Sequence, residues 1–358
     1  MLVSNLRNLK HHSLLFLFTF LASALFAQSE PKSKSIFDEM SYKEVLTVTL
    51  KADFALVDSS RRTNDKNPAV FTFEDENGVN QSWNVKLTTR GNFRRLKCEM
   101  APLKINFKKK ELKAAGLAKF DDMKLVTHCV SNKAEARALL QKEYLAYKLY
   151  NEITHYSYRV QLLKINYIDV NTGKKTKHWA FLIEDTAELR KRIDATAKVE
   201  NNLSLPRDTF HDGLLKIASI FQYMIGNADW DLNVGRNVKY LIKNGKVIPV
   251  PYDFDFSGLV NAPYAIPNPN FGIPTVKTRI FLGYKEDMEK LKTTLAYFKT
   301  KRLDILKTVD AFKVLDLTKR EEIIYYLDSF YATINHIVLG EKIDFSAEPT
   351  LPTTMGTK

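Results

Sequence analysis

The densest run of side chains able to do chemistry lies between residues 226 and 258. Gly226-Asn227-Ala228-Asp229-Trp230-Asp231-Leu232-Asn233 leads to Arg236-Asn237 and the strand-like Val238-Lys239-Tyr240-Leu241. Beyond Asn244-Gly245 the chain returns through Val247–Val250 to Pro251-Tyr252-Asp253-Phe254-Asp255-Phe256-Ser257-Gly258. Asn-Gly between two apolar runs signals a hairpin, and a hairpin brings its outer ends together. Asn237 enters this one and Asp253 leaves it, so both are expected at one edge, facing Asp229. Oxygen donors of this kind suit Mg²⁺, which keeps several waters and completes its shell with phosphate oxygens. The competing reading is that Asn and Asp form turns and helix caps. It accounts for one or two of these residues, but poorly for an acidic, aromatic run directly after an apolar strand. Asp253 comes first off the strand and is the expected ligand, whereas Asp255 is expected to cap the Ser257-Gly258 turn.

The elements that must hold these residues are legible from periodicity. Residues 44–50 alternate as a strand, as do Val70–Glu74, Trp83–Thr89 and Pro102–Phe107, with Asn77-Gly78 as a turn. Helical spacing starts after Ser131, read as an N-cap, and runs to Thr154. Arg159–Val170 and Thr176–Ile183 form a strand pair, and residues 208–226 carry Phe210, Leu214, Ile217, Phe221 and Met224 at helical spacing. Three further helices are expected over 284–300, 302–314 and 317–338. On the helix over 133–154, Leu140, Glu143, Tyr147, Tyr150 and Ile153 share one face. Glu143 is thus a carboxylate in an apolar stripe, costly to bury without a partner.

Taken together, these segments resemble protein-kinase-like folds: an Asp loop ending in Asn, a two-stranded hairpin and an Asp-Phe motif. More narrowly the chain is similar to the spore-coat-protein-H-like (CotH) family of secreted atypical kinases. Thr89-Arg90-Gly91-Asn92 ahead of Pro102-Leu103-Lys104-Ile105, the Tyr-Asp-Phe-Asp run, and Phe181-Leu182-Ile183-Glu184 as a hinge strand carry the likeness, over about residues 83–260. The resemblance implies an α+β, two-lobed kinase-like fold. A β-rich N-lobe with one long helix (28–184) would precede a mainly helical C-lobe with the catalytic-loop hairpin (185–345). It implies Lys104, paired with Glu143, on nucleotide phosphates, with Arg90 and Glu184 also at the nucleotide. Asp229 would be the base, and Asn237 and Asp253 would bind the metal. The cofactors would be ATP or another nucleotide with Mg²⁺ or Mn²⁺, and the acceptor an exported protein or glycan. The sequence departs from the pattern in having no Gly-x-Gly-x-x-Gly loop and in its Asp-to-Asn spacing, where Asn233 is the rival of Asn237. A catalytically inactive binding or scaffold protein on the same fold, and metal-dependent phosphodiester hydrolysis, are the alternatives.

Composition frames these readings. The chain has 358 residues and a formal charge of +13, and from Arg90 to Lys124 eleven Lys and Arg face four acidic residues, a patch that attracts polyanions. No interleaving of basic and stacking aromatic residues points to nucleic acid, and the histidines lack metal-ligand spacing. Arg7 and Lys10, the apolar stretch Ser13–Phe26 and the small-residue end at Ala27 have the order of a signal peptide over 1–27. That stretch falls short of the roughly 20 residues a membrane anchor needs. The reading is a secreted or periplasmic monomer with no later transmembrane segment and a disordered tail over 346–358. Outside the cytoplasm a lone Cys98–Cys129 pair is expected to be bridged, the rival being a zinc site that includes His128.

Overall fold

The computed structural model describes residues 33–199, 205–284 and 288–338. The signal-peptide and tail readings lie outside these residues. The chain enters through a short helix α1 (Ile36–Met40), closed by a Ser35–Asp38 capping box. Strand β1 (Val45–Ala52) then turns Leu46, Val48, Leu50 and Ala52 to one side. Helix α2 (Phe54–Ser59) leads to β2 (Asn67–Glu74) and β3 (Asn80–Thr89). Their connection is pinned by Asp75, whose Oδ1 accepts the N–H groups of Asn77 and Val79, with Gly78 at φ +78°. Helix α3 (Phe93–Lys97), β4 (Leu103–Phe107), α4 (Lys109–Ala114) and β5 (Asp122–Val126) follow.

The long helix α5 (Lys133–Ile153) starts one residue later than its sequence signal, because Asn132 rather than Ser131 accepts the N–H groups of Ala134 and Glu135. Strands β6 (Val160–Asp169) and β7 (Lys175–Ile183) complete the first half.

The expected two-lobed kinase fold, with a β-rich N-lobe, is not what these strands build. Among the described residues they close into a barrel in the order β1-β2-β3-β4-β5-β7-β6. Closure comes from a parallel ladder between β1 and β6, running from Val45 opposite Leu162 to Ala52 opposite Asp169. Alternation shows that a strand has one buried face. It does not name the partner of its second edge, and a parallel partner more than a hundred residues away carries no turn signal. The closed barrel leaves no free edge, and its interior is filled by Leu50, Phe71, Leu103, Ile105, Phe107 and Leu125. Each such side chain contributes roughly 1.5–3 kcal/mol by leaving water.

The outer face of β6 and β7 carries a second apolar layer. Leu162, Phe181 and Ile183 pack against Leu140, Tyr144 and Tyr147 of α5. The same core continues into the helices beyond β7. After α6 (Thr186–Arg192) and the short β8 (Ala197–Lys198) come α7 (Asp212–Met224), the hairpin β9 (Val238–Lys243) and β10 (Lys246–Pro251), then α8 (Met288–Thr300), α9 (Arg302–Ala311) and α10 (Leu317–Val338). No helix among the described residues is long and apolar enough to cross a membrane.

Candidate functional site

The loop after α7 is shaped by a tightly enclosed glycine. Gly226 sits at φ +63°, and a Cβ there would lie 2.0 Å from the Tyr326 hydroxyl. Its carbonyl accepts the N–H of Gly258 at 3.0 Å, tying the loop to the segment that follows Asp253. Asn227 is buried; its Nδ2 donates to Gln222 Oε1 at 3.0 Å, and its Oδ1 accepts the N–H of Asp229 at 3.0 Å. Asn237 then reaches across: its Nδ2 donates to the Asp229 carbonyl at 2.6 Å and to Asp229 Oδ2 at 2.9 Å. Arg236 Nη1 stands 3.8 Å from Asp229 Oδ1. Burial raises the Asp229 carboxyl above its ordinary range; Arg236 opposes this and Asp253 adds to it.

The hairpin brings Asp253 to the same edge. The Asn237 carbonyl accepts the Tyr252 N–H at 3.0 Å, and the Asp253 N–H donates to the Tyr147 hydroxyl at 2.8 Å. Asn237 and Asp253 both have left-handed backbone, with φ of +53° and +64°. Asp and Asn tolerate this conformation best among residues with a side chain, and it turns both side chains off the line of the strands. Oxygens of Asp253, Asp255 and Glu143 lie within 4.8 Å of one another, a spacing that suits a cation.

Within that acidic group the expected pairings are corrected. Glu143 is buried as its place in the apolar stripe requires, but its partner is Arg94, not Lys104: Arg94 Nη1 donates to Glu143 Oε2 at 2.9 Å. The other guanidinium nitrogen donates to the Thr127 carbonyl at 2.9 Å, and Nη1 stands 3.6 Å from Asp255 Oδ2. Burial would lower the Arg94 guanidinium, but Glu143, Tyr264, Asp255 and Asp253 together hold it well above its ordinary value. Asp255 does not serve the Ser257-Gly258 turn. It is buried beside Arg94 and Tyr264; burial, with Asp253 and Glu143 adding to it, pushes its carboxyl well above the usual range, against the pull of Arg94. Lys104 bonds Asp122 at 3.1 Å on a half-exposed surface.

Sequence reasoning missed Lys124. It stands opposite Lys104 across β4 and β5, so the two share the outer face of the barrel. The Lys124 ammonium is sealed from solvent without a hydrogen-bond partner. It lies over the rings of Tyr158 and Tyr252 at 4.6 and 5.3 Å. Burial, with Arg90 and Lys239 adding repulsion, lowers it to about 7, against the pull of Asp185 and Asp253. Arg90 therefore lies in this neighbourhood. The signal for Lys124 in the sequence is slight: a lysine at an outward position of a short strand reads as solvated, and the rings of Tyr158 and Tyr252 that cover it come from distant parts of the chain.

Glu184 is fully occupied elsewhere. Its carboxylate accepts the Arg159 N–H and Nε at 2.8 Å each and Arg192 Nη2 at 2.6 Å, while its own N–H donates to the Arg159 carbonyl. These bonds anchor the end of β7 and commit the Glu184 carboxylate to the two arginines.

Known proteins add little to this geometry. No protein-family profile and no curated protein matches the chain. Among solved structures it is similar to a chain of the Shewanella oneidensis MR-1 toxin–antitoxin complex of HipA, HipB and operator DNA, at 12% identity and a TM-score of 0.32. That match covers 63% of this chain and 60% of the other, so the chain spans less than two thirds of that structure's length. A likeness this slight carries no weight for function, which must be read from the geometry of the site.

Proposed function

We propose that the region where the outer face of β5 meets the β9–β10 hairpin binds a nucleotide such as ATP with Mg²⁺ or Mn²⁺, and passes a phosphoryl group to a hydroxyl of an exported protein or glycan. The observation that carries this reading is Lys124. A desolvated ammonium with no acceptor, flanked by Arg90 and Lys239 and influenced by Asp253, is unfavourable in the free protein. Phosphate oxygens would supply the missing acceptors, and perturbed ionisable groups of this kind gather at functional sites.

The donor set fits the cation. Glu143 is committed to Arg94 and Asp255 lies buried against the same guanidinium, which leaves the half-buried Asp253 as the carboxylate open to a cation. Asn237 spends its Nδ2 on Asp229, so its side-chain Oδ1 remains available. One anionic and one neutral oxygen, with waters and phosphate, make the open shell that Mg²⁺ favours. A bound metal would neutralise charge on the transferring phosphoryl group.

The residues present supply the rest. Lys124 and Arg90 would hold the phosphates, and Lys104, on the same outer face, would sit at the rim. Asp229 would accept the hydroxyl proton as the new P–O bond forms and the bond to the leaving diphosphate breaks. Its raised carboxyl is a better base than an ordinary aspartate, and Asn237 fixes its orientation.

A second reading, a catalytically silent binding or scaffold protein, is favoured by Arg94, which already neutralises part of the acidic group without a metal. A thermal-shift screen of the purified protein with nucleotides, with and without Mg²⁺ or Mn²⁺, separates the two. Stabilisation that needs both nucleotide and metal is the expected result; none under any pairing leaves the scaffold reading.

A further inference from the structure

A pocket of about 300 Å³ opens between the first two turns of α5 and the middle of β7. His128, Lys133, Arg137, Lys177, His178 and Trp179 line it, and none of them takes part in the hairpin site. The sequence scatters its histidines, but the fold stacks two of them: the rings of His128 and His178 lie 3.7 Å apart and within 4° of parallel. His128 is only 5% exposed, and its Nδ1 has no hydrogen-bond partner. The Nε of Arg137 is likewise buried and without one. Unsatisfied buried polar atoms are rare in folded proteins, and each needs an explanation.

The groups that face the ring pair are almost all of one sign. Lys133 and Arg137 come from α5 and Lys177 from β7, while Tyr167 of β6 sets its ring 6.3 and 6.1 Å from His128 and His178. Glu99, beside the Cys98–Cys129 disulfide, is the acidic group acting on His178, and Arg137 is drawn outward to the Val314 carbonyl and Asp316. Burial, His178 and Lys133 lower His128 to about 4, and burial and Lys133 lower His178. The free pair is therefore neutral near pH 7.

We infer that this pocket binds a tetrahedral oxyanion of the phosphate or sulfate type, and that the His128–His178 pair takes up a proton as the anion enters. An anion offsets the burial and the Lys133 repulsion that keep the rings neutral, and gives Nδ1 of His128 the partner it lacks. Three cationic side chains and one protonated ring match two negative charges on several oxygens better than the single charge of a carboxylate.

The test is a titration of the whole chain, carrying Lys124→Met to remove phosphate binding at the first site. Inorganic phosphate, inorganic sulfate and acetate are the ligands, read by histidine ring resonances and by calorimetry in two buffers of different ionisation heat. Phosphate and sulfate should saturate and move both ring signals, with net proton uptake and an affinity that rises on acidification by up to about tenfold per pH unit. Acetate should bind more weakly. Lys133→Gln and Lys177→Gln, both at exposed positions, should each weaken phosphate binding several-fold. Unmoved ring signals, an affinity independent of pH, acetate binding as tightly as sulfate, or unchanged affinity in both lysine variants would each overturn the proposal.

Discussion

At the scale of single residues, the site is held together by charges that have given up water. Arg94 shows the consequence most directly. Replacing it with Met leaves Glu143 and Asp255 buried without a cation, which should cost about 3–5 kcal/mol in a denaturant titration. A cost below about 1 kcal/mol would mean that water reaches the cluster. Lys124 should behave in the opposite way. Its folded value of about 7 lies below the unfolded lysine value of about 10.4. The unfolded chain therefore binds the proton more readily, and stability is lost as pH falls through that window. Lys124→Met should raise the stability of the ligand-free protein at neutral pH by about 1–3 kcal/mol, flatten the dependence between pH 7 and 10, and abolish nucleotide binding. Destabilisation by this change would mean that the lysine is structural. The approach of Asn237 and Asp253 at one edge was legible in the sequence because a hairpin turn fixes which of its residues meet. Lys124 and Arg94 were not, since their partners come from elements far away in the chain.

At the scale of elements, the site hangs on three connections: the α7 loop, the β9–β10 hairpin, and the segment between Cys98 and Cys129. The disulfide expected from export and the lone cysteine pair is present, and it brackets β4, α4 and β5, with α3 immediately before it. One end of the bridge therefore adjoins the helix that presents Arg94, and the loop it closes contains the strand that presents Lys124. A Cys98→Ser, Cys129→Ser double variant should lose roughly 2–4 kcal/mol, and hydrogen exchange should accelerate across α3 and β5 more than in α10. Uniform acceleration would show that the bridge stabilises the whole fold rather than this segment. The expected strands and helices lie close to their observed bounds, since each is encoded in its own periodicity. The barrel was not legible, because the β1–β6 ladder that closes it joins segments whose alternation is already satisfied locally.

At the scale of the molecule, pH links the two sites to stability. His128 is lowered to about 4 when folded, beneath the unfolded value of about 6.5. The unfolded chain therefore protonates first, and acidification from about pH 6.5 to 4 should remove stability by up to about 3 kcal/mol from this residue. Glu188, raised to about 7 mainly by burial, works in the opposite direction: its contribution is greatest at low pH and falls as pH rises from about 4.5 to 7. The difference between wild type and His128→Gln isolates the histidine, and the variant should lose less stability in acid. Equal acid sensitivity would mean that His128 does not set the acid limb.

A metal-dependent nucleotide site built on Asp253 stands or falls by calorimetric titration of ATP into wild type, Asp253→Asn and Asp229→Asn, each with and without Mg²⁺. Wild type should bind ATP more tightly when Mg²⁺ is present. Asp253→Asn, which keeps the volume and loses the charge, should forfeit that gain. Asp229→Asn should retain it, because a base that orients an acceptor hydroxyl does not hold the nucleotide. Equal Mg²⁺-dependent affinity in wild type and Asp253→Asn would contradict the metal role of Asp253 and, with it, the proposed site.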